Sequence, residues 1–244
     1  MPETLFISDL HLSEEQPAVT GLFLHFLGER AREADSLYIL GDLFDAWIGD
    51  DDPRPLATGI KAALRALSDS GVRIFIQAGN RDFLLGHDFM AAAGCTLLPD
   101  IRVIELAGAP TLLLHGDLLC TGDRDYQQAR AFLRSEAFRS DFLSKTIAER
   151  RAIAADYRRR SGEATSLKAG DIMDVDQETV ADTMRRHGVL RLIHGHTHRP
   201  GIHDFELDGR PAQRIVLADW HPDHGALLRV TGNTIETGAV LPPA

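Results

Sequence analysis

Five short apolar runs in this 244-residue chain each end in a cluster of polar residues, and that recurrence constrains the fold more than any other feature. The runs are Thr4–Ser8, Ser36–Leu40, Arg73–Gln77, Thr111–His115 and Leu190–His194. Each is short, apolar and bounded by turn residues, as expected of a strand covered on both faces. The clusters that follow are Asp9-Leu-His11, Gly41-Asp42, Gly79-Asn80, His115-Gly116-Asp117 and Gly195-His196-Thr197-His198. In open α/β sheets, loops at the carboxyl ends of strands converge on one crevice. The clusters are therefore expected to meet.

Between the runs the spacing turns helical. Val19, Leu22, Phe23, Phe26 and Leu27 predict a helix within Pro17–Ala34. Leu56–Leu67 predicts another, with Gly71 as its stop, and a third is expected near His87–Ala93. This βαβαβ rhythm implies a parallel sheet with right-handed crossovers. Ile101–Leu106 and Thr111–His115, joined by Ala107-Gly108-Ala109-Pro110, predict an antiparallel hairpin. A long helical, charge-rich stretch follows, with an interruption expected around Ser161-Gly162. Strands resume at Leu190–His194, Ile202–Leu207, Gln213–Leu217 and Ala226–Val230, with turns at Asp208-Gly209 and Gly232-Asn233, and a mostly antiparallel meander is expected there.

A hydrophobic content of 44% and a charged content of 25% exclude fibrous and disordered classes. The longest apolar runs fall far short of the roughly 20 residues of a membrane span. No basic stretch followed by an apolar one opens the chain, so a secretory leader is not expected. Cys95 and Cys120 form no C-x-x-C pair, which fits small buried residues in a reducing cytoplasm. The net charge of −10 argues against a general nucleic-acid binder. Residues 123–168 nevertheless carry 11 Lys/Arg and 7 Asp/Glu, a balance of +4, against −14 for the remainder. That segment interleaves Tyr126, Phe132, Phe138 and Phe142 with Arg124, Arg130, Arg134, Arg139 and Arg158-Arg159-Arg160. It suits an amphipathic lid on an anionic membrane or over an acyl chain, or else a helical hairpin burying its apolar face on the core.

The polar clusters offer carboxylate, amide carbonyl and imidazole donors without thiolate, a set that suits Mn²⁺, Zn²⁺, Fe or Mg²⁺. The donors exceed the needs of one ion, and two ions sharing a carboxylate would use them all. Asp9 and His11 are expected to share a face through the strand's last pleat, and His196 and His198 likewise. Gly41, Gly79 and Gly195, each one residue before a donor, are expected at sharp turns.

The series Asp9-x-His11, Gly41-Asp42-x-x-Asp45, Gly79-Asn80-Arg81-Asp82, His115-Gly116-Asp117 and Gly195-His196-x-His198 resembles the calcineurin-like metallophosphoesterase superfamily. The resemblance implies an α/β fold, a four-layer α/β/β/α sandwich with a dinuclear site. Asp9, His11 and His198 would hold one metal, Asn80, His115 and His196 the other, and Asp42 would bridge them, with an activated water as nucleophile. Many superfamily phosphatases carry Gly-Asn-His-Glu where this chain has Gly79-Asn80-Arg81-Asp82. Arginine cannot give a proton to an alkoxide leaving group, but it grips phosphate oxygens. A phosphate leaving group, with a second pKa of roughly 6, needs no such proton. Arg81 thus favours pyrophosphate cleavage, unless it is spent on an ion pair with Asp82 or Asp45.

With Asp45-Ala-Trp47-Ile-Gly49-Asp50-Asp51, Arg81-Asp82-Phe83-Leu84 and His198-Arg199-Pro200 included, the chain is similar to the UDP-2,3-diacylglucosamine diphosphatases of lipid A biosynthesis. That narrower resemblance implies two Mn²⁺ ions and a core of residues 1–122 and 169–244 carrying a helical lid at 123–168. It also implies hydrolysis of UDP-2,3-diacylglucosamine to UMP and lipid X at the cytoplasmic face of the inner membrane, with no obligate protein partner. Asn80, Arg81, His115 and His196 would be catalytic, and Asn80, Arg81, Asp123, Ser161, Thr165, Lys168 and His196 would touch substrate. Thr165 stands where that family often has Asn. The competing expectations are a nucleotide or cyclic-nucleotide phosphodiesterase with the same site, and a non-catalytic interaction module.

Overall fold

The computed structural model describes residues 2–166 and 174–243, and side chains except those of 160–166. The first half runs β1 (Glu3–Ile7), α1 (Pro17–Gly28), β2 (Ser36–Leu40), α2 (Pro55–Asp69), β3 (Arg73–Gln77), α3 (His87–Ala93) and β4 (Cys95–Leu97). Proline opens both α1 and α2, where its missing N–H costs nothing. Then come β5 (Ile101–Leu106), β6 (Ala109–Leu114), α4 (Arg124–Leu133), α5 (Glu136–Leu143), α6 (Ile147–Ser166) and α7 (Gln177–His187). The chain closes with β7 (Arg191–His194), β8 (Gly201–Leu207), β9 (Arg210–Val216), β10 (Gly225–Thr231) and β11 (Thr234–Val240).

These strands form a six-stranded sheet in the order β11-β10-β1-β2-β3-β4 and a five-stranded sheet in the order β5-β6-β7-β9-β8. The strands from β1 to β4 pair in parallel, as do β6–β7 and β7–β9. The two-residue alternation of side chains then sorts each strand between two cores. Leu5, Ile7, Leu37, Ile39, Ile74 and Ile76 face the cluster filled by α1, α2 and α3. Phe6 and Leu40 face a second cluster shared with Leu113 and Ile193 of the other sheet. Leu112, Leu114 and Leu192 face a third, closed by Val180 and Met184 of α7. Three apolar seams between four layers make the α/β/β/α sandwich expected from the sequence.

Four expectations need correction. The helix from Pro17 stops at Gly28, and Arg30–Glu33 forms a separate 3-10 turn. Helix α6 runs through Ser161-Gly162 without interruption to Ser166. β4 was not anticipated; it has three residues, too few to show a period. The C-terminal strands are no single meander: β9 pairs in parallel with β7, and the β10–β11 hairpin crosses to the first sheet beside β1.

Neither Cys95 nor Cys120 is in a disulfide, and burial pushes each thiol up to about 12. Among the described residues no helix is long and apolar enough to cross a membrane.

Candidate metal centre

The five polar clusters lie just beyond the carboxyl ends of β1, β2, β3, β6 and β7. Their backbone is unusual. Asp9, His11, Asp42, His196 and His198 all have positive φ, between 49° and 69°. Among the described non-glycine residues only Ala107 and Asp208, both in hairpin turns, share that conformation. The left-handed region costs an ordinary side chain on the order of 1 kcal/mol or more, so the fold must hold these positions there. It does so by pairing loop with loop: Asp9 N–H donates to Gly41 O at 3.1 Å and His11 N–H to Asp42 O at 2.9 Å. Asp9 and His11 are therefore brought together by left-handed turns and not by a strand pleat, since β1 has already ended at Ile7. The same correction applies to His196 and His198 beyond β7. Room, not a sharp turn, explains two of the glycines. A Cβ at Gly79 would fall on the Asp42 carboxylate, and one at Gly195 on the Asp9 carboxylate.

Asp9, His11 and His198 form one group of converging donors, and Asp42, His115 and His196 form another, each with its donor atoms within 4.8 Å. His198 Nε2 lies 3.2 Å from His11 Nε2 and 3.5 Å from Asp9 Oδ1. In the second group Asn80 Oδ1 lies 3.0 Å from His115 Nε2. Asp42 Oδ2 stands between the groups, 3.6 Å from His115 Nε2 and 3.9 Å from His11 Nε2.

This arrangement fits divalent cations and is poorly satisfied without them. His115 Nδ1 donates to Leu40 O at 2.8 Å, so Nε2 can meet Asn80 Oδ1 only with an added proton or through a shared cation, and against its burial Asp42 and Asp9 raise His115 toward the charged form. Asp9 Oδ1 and His11 Nδ1 are buried and have no hydrogen-bond partner among the described residues. Asp9 is 0% and Asp42 2% exposed, and two buried carboxylates this close call for positive charge between them. Burial pushes Asp42 up to about 6, helped by the charge of Asp9. Burial also opposes the charged form of Asp9, but His198 and His115 outweigh it and hold Asp9 well below the usual carboxylate range. Burial brings His11 down to about 4 and His196 to about 3, the neutral forms a metal requires. For His198 burial is outweighed by Asp219 and Asp9, which raise it to about 10.

Arg81 stands beside the second group. Its N–H donates to Asp42 Oδ1 at 2.8 Å and its carbonyl accepts from Trp47 N–H. Among the described residues its guanidinium has no ion pair. Asp82 is occupied by the N–H groups of Leu43, Phe44 and Gly79, and Asp45 pairs with Arg158. The side chain is left available to a ligand.

Asp123 accepts Tyr126 N–H at 3.1 Å as the N-cap of α4. Ser161 and Thr165 fall in α6 but their side chains lie outside the described residues, as does Lys168 altogether. The sequence reading named Asp117, Tyr126, Arg130 and Arg134 without giving them a part in the site, and it did not name Asp219. Buried Asp117 accepts Tyr126 Oη–H at 3.1 Å and Arg130 Nε–H at 2.7 Å. Arg134 donates to Gly79 O at 2.9 Å and to Asp100, tying α4 to the loop that carries Asn80 and Arg81. Asp219 faces His198 from beyond β9. The one available signal was position: Asp117 and Asp219 also follow strands.

The sequence profile described as calcineurin-like phosphoesterase matches residues 3–200. The UDP-2,3-diacylglucosamine hydrolase of Edwardsiella ictaluri is 54% identical over 233 residues, covering 95% of this chain and 90% of that protein. The protein of that name from Escherichia coli is 51% identical over 233 residues, covering 96% of this chain and 97% of its own. Among solved structures, vacuolar protein sorting 29 from Cryptosporidium parvum aligns over 98% of this chain and 96% of that one, at 13% identity and a TM-score of 0.46.

Proposed function

Because this chain belongs to the calcineurin-like phosphoesterase family, we propose that it is a metal-dependent hydrolase of UDP-2,3-diacylglucosamine, releasing UMP and lipid X for lipid A biosynthesis. The observation that carries the reading is the pair of donor groups with Asp42 between them, beside an Arg81 guanidinium that has no ion pair among the described residues. Identity above 50% over nearly the whole of two hydrolases of that name supplies the substrate.

In this reading Asp9, His11 and His198 would hold one ion and Asn80, His115 and His196 the other, with Asp42 serving both. Two bound divalent ions, Mn²⁺ as the resemblance to the UDP-2,3-diacylglucosamine hydrolases implies, would supply water activation and charge neutralisation. The chain's residues do the rest. Arg81 forks onto the phosphate oxygens and resists their movement as the anhydride opens. The departing phosphate of lipid X is stable as an anion, so no side chain need donate a proton to it. Asn80 and His196 would contact the same phosphates, and Asp123, Ser161, Thr165 and Lys168 are the further substrate contacts that the resemblance implies. Residues 123–168 act as a lid for the acyl chains. The exposed Phe132 and Leu143 provide apolar contact with the cytoplasmic face of the inner membrane, where the enzyme works peripherally.

UMP release from UDP-2,3-diacylglucosamine, compared with turnover of bis(p-nitrophenyl) phosphate and cyclic AMP, tests the proposal. Mn²⁺-dependent preference for the lipid is expected. Preference for the small esters would return the chain to a general phosphodiesterase.

A further inference from the structure

The loop between β9 and β10 is fastened to both sides of the first donor group. Leu217 N–H donates to His194 O at 2.7 Å, next to the segment carrying His196 and His198, and Trp220 N–H donates to Asp9 O at 3.2 Å. Asp219 lies between those two anchors, its side chain 18% exposed. One oxygen, Oδ2, lies 3.2 Å from His198 Nδ1 and 3.2 Å from His221 Nε2. The carboxylate is thus aimed at the back of the imidazole whose Nε2 faces Asp9 and His11.

An imidazole binds a cation through a nitrogen lone pair, so its other nitrogen must carry the proton. A carboxylate behind that nitrogen fixes the tautomer, restrains the ring and strengthens the donor. His115 has a backbone carbonyl in that position, Leu40 O. Among the described residues His11 has nothing there, for its Nδ1 is buried without a partner. His198 is also held in the left-handed region at φ 53°, with a side chain 40% exposed, so it needs more restraint than its neighbours. We propose that Asp219 is a positioning residue for the ion held by Asp9, His11 and His198, accepting Nδ1–H of His198 so that Nε2 is presented to the metal. His221 steadies the same oxygen from the solvent side. The inference rests on the dinuclear reading above and extends it by one residue.

The test is metal binding, not turnover. Apo wild type, Asp219→Asn and Asp219→Ala are dialysed against graded Mn²⁺, and bound metal is counted by atomic emission while melting of the apo proteins is followed. Wild type should take up two ions. Asp219→Ala should weaken one of them by about 10- to 100-fold, leave the other at wild-type affinity and leave apo melting unchanged. Asp219→Asn, which keeps shape and an acceptor oxygen, should fall between them. Two ions at wild-type affinity in both variants would overturn the proposal. So would parallel loss of both ions with a lowered apo melting temperature, which marks a structural role. Wild type that takes up no metal would overturn the dinuclear reading itself, and this inference with it.

Discussion

The rim of donor loops and the helices α4 to α6 meet charge in opposite ways. At the rim, carboxylates are buried and most imidazoles buried or half-buried, five of the donors sit on left-handed backbone, and Asp9 Oδ1 and His11 Nδ1 have no partner among the described residues. In the helices, arginines are abundant, and most are already matched to a carboxylate. Arg130 pairs with Asp100 and Asp117, Arg134 with Asp100, Arg150 with Asp51, Arg151 with Asp52 and Arg158 with Asp45. The positive balance of residues 123–168 is therefore largely spent at the boundary with the acidic core, and less of it faces a membrane than composition suggests. Frustrated charge marks where a ligand goes. Satisfied charge marks how one part is fastened to another.

The largest expected effect comes from breaking the rim. Asp42→Ala removes the carboxylate between the two donor groups and should lower turnover by at least about 1000-fold, with metal content falling in parallel. Retained activity at full metal content would erase the contrast drawn above. Arg81→Ala should cost about 10- to 100-fold in turnover, the value of one charge-assisted phosphate contact, at unchanged metal content. Concurrent metal loss would class Arg81 with the fastened arginines instead.

The helices should respond differently. Phe132→Ser, at a side chain 57% exposed, should raise KM for the diacylated substrate by about three- to tenfold and leave bis(p-nitrophenyl) phosphate turnover untouched. The smallest effect is electrostatic. The Arg150 hydrogen bond holds the Asp51 carboxyl below its ordinary value. A depressed carboxyl stabilises the fold above the unfolded pKa, and that contribution is lost as pH falls through the folded value. Since Asp51 is well exposed, Asp51→Asn should lower the melting temperature at neutral pH by only a few degrees, corresponding to at most about 1 kcal/mol. The difference from wild type should close toward pH 3. A difference that persists in acid would mean that the pair holds by shape and not by charge.

Much of the site could be read from the chain because its signal is local. Each donor sits within a few residues of a strand end, and β-strand alternation is written in four or five letters such as Leu5-Phe6-Ile7. What escaped is set by pairing between distant segments. Nothing near Asp219 says that it will face His198, and nothing near Arg134 says that its guanidinium will reach Gly79 O. The β10–β11 hairpin misled for the same reason. Its period fits either sheet, and only the unpaired edge of β1 decides between them.

That edge has a consequence for how the molecule is made. β1 leaves a ribosome long before its partner on one side, β10, with Thr4 opposite Val230. Contacts of such sequence separation form slowly, because the loop between them must be closed first. Until then β1 exposes an open hydrogen-bonding edge to any passing strand. Trp220 N–H, which caps the carbonyl of Asp9, arrives on the same late segment. The centre is thus assembled near the end of folding, and a chain stalled short of its last hairpin should be an aggregation hazard with no competent site.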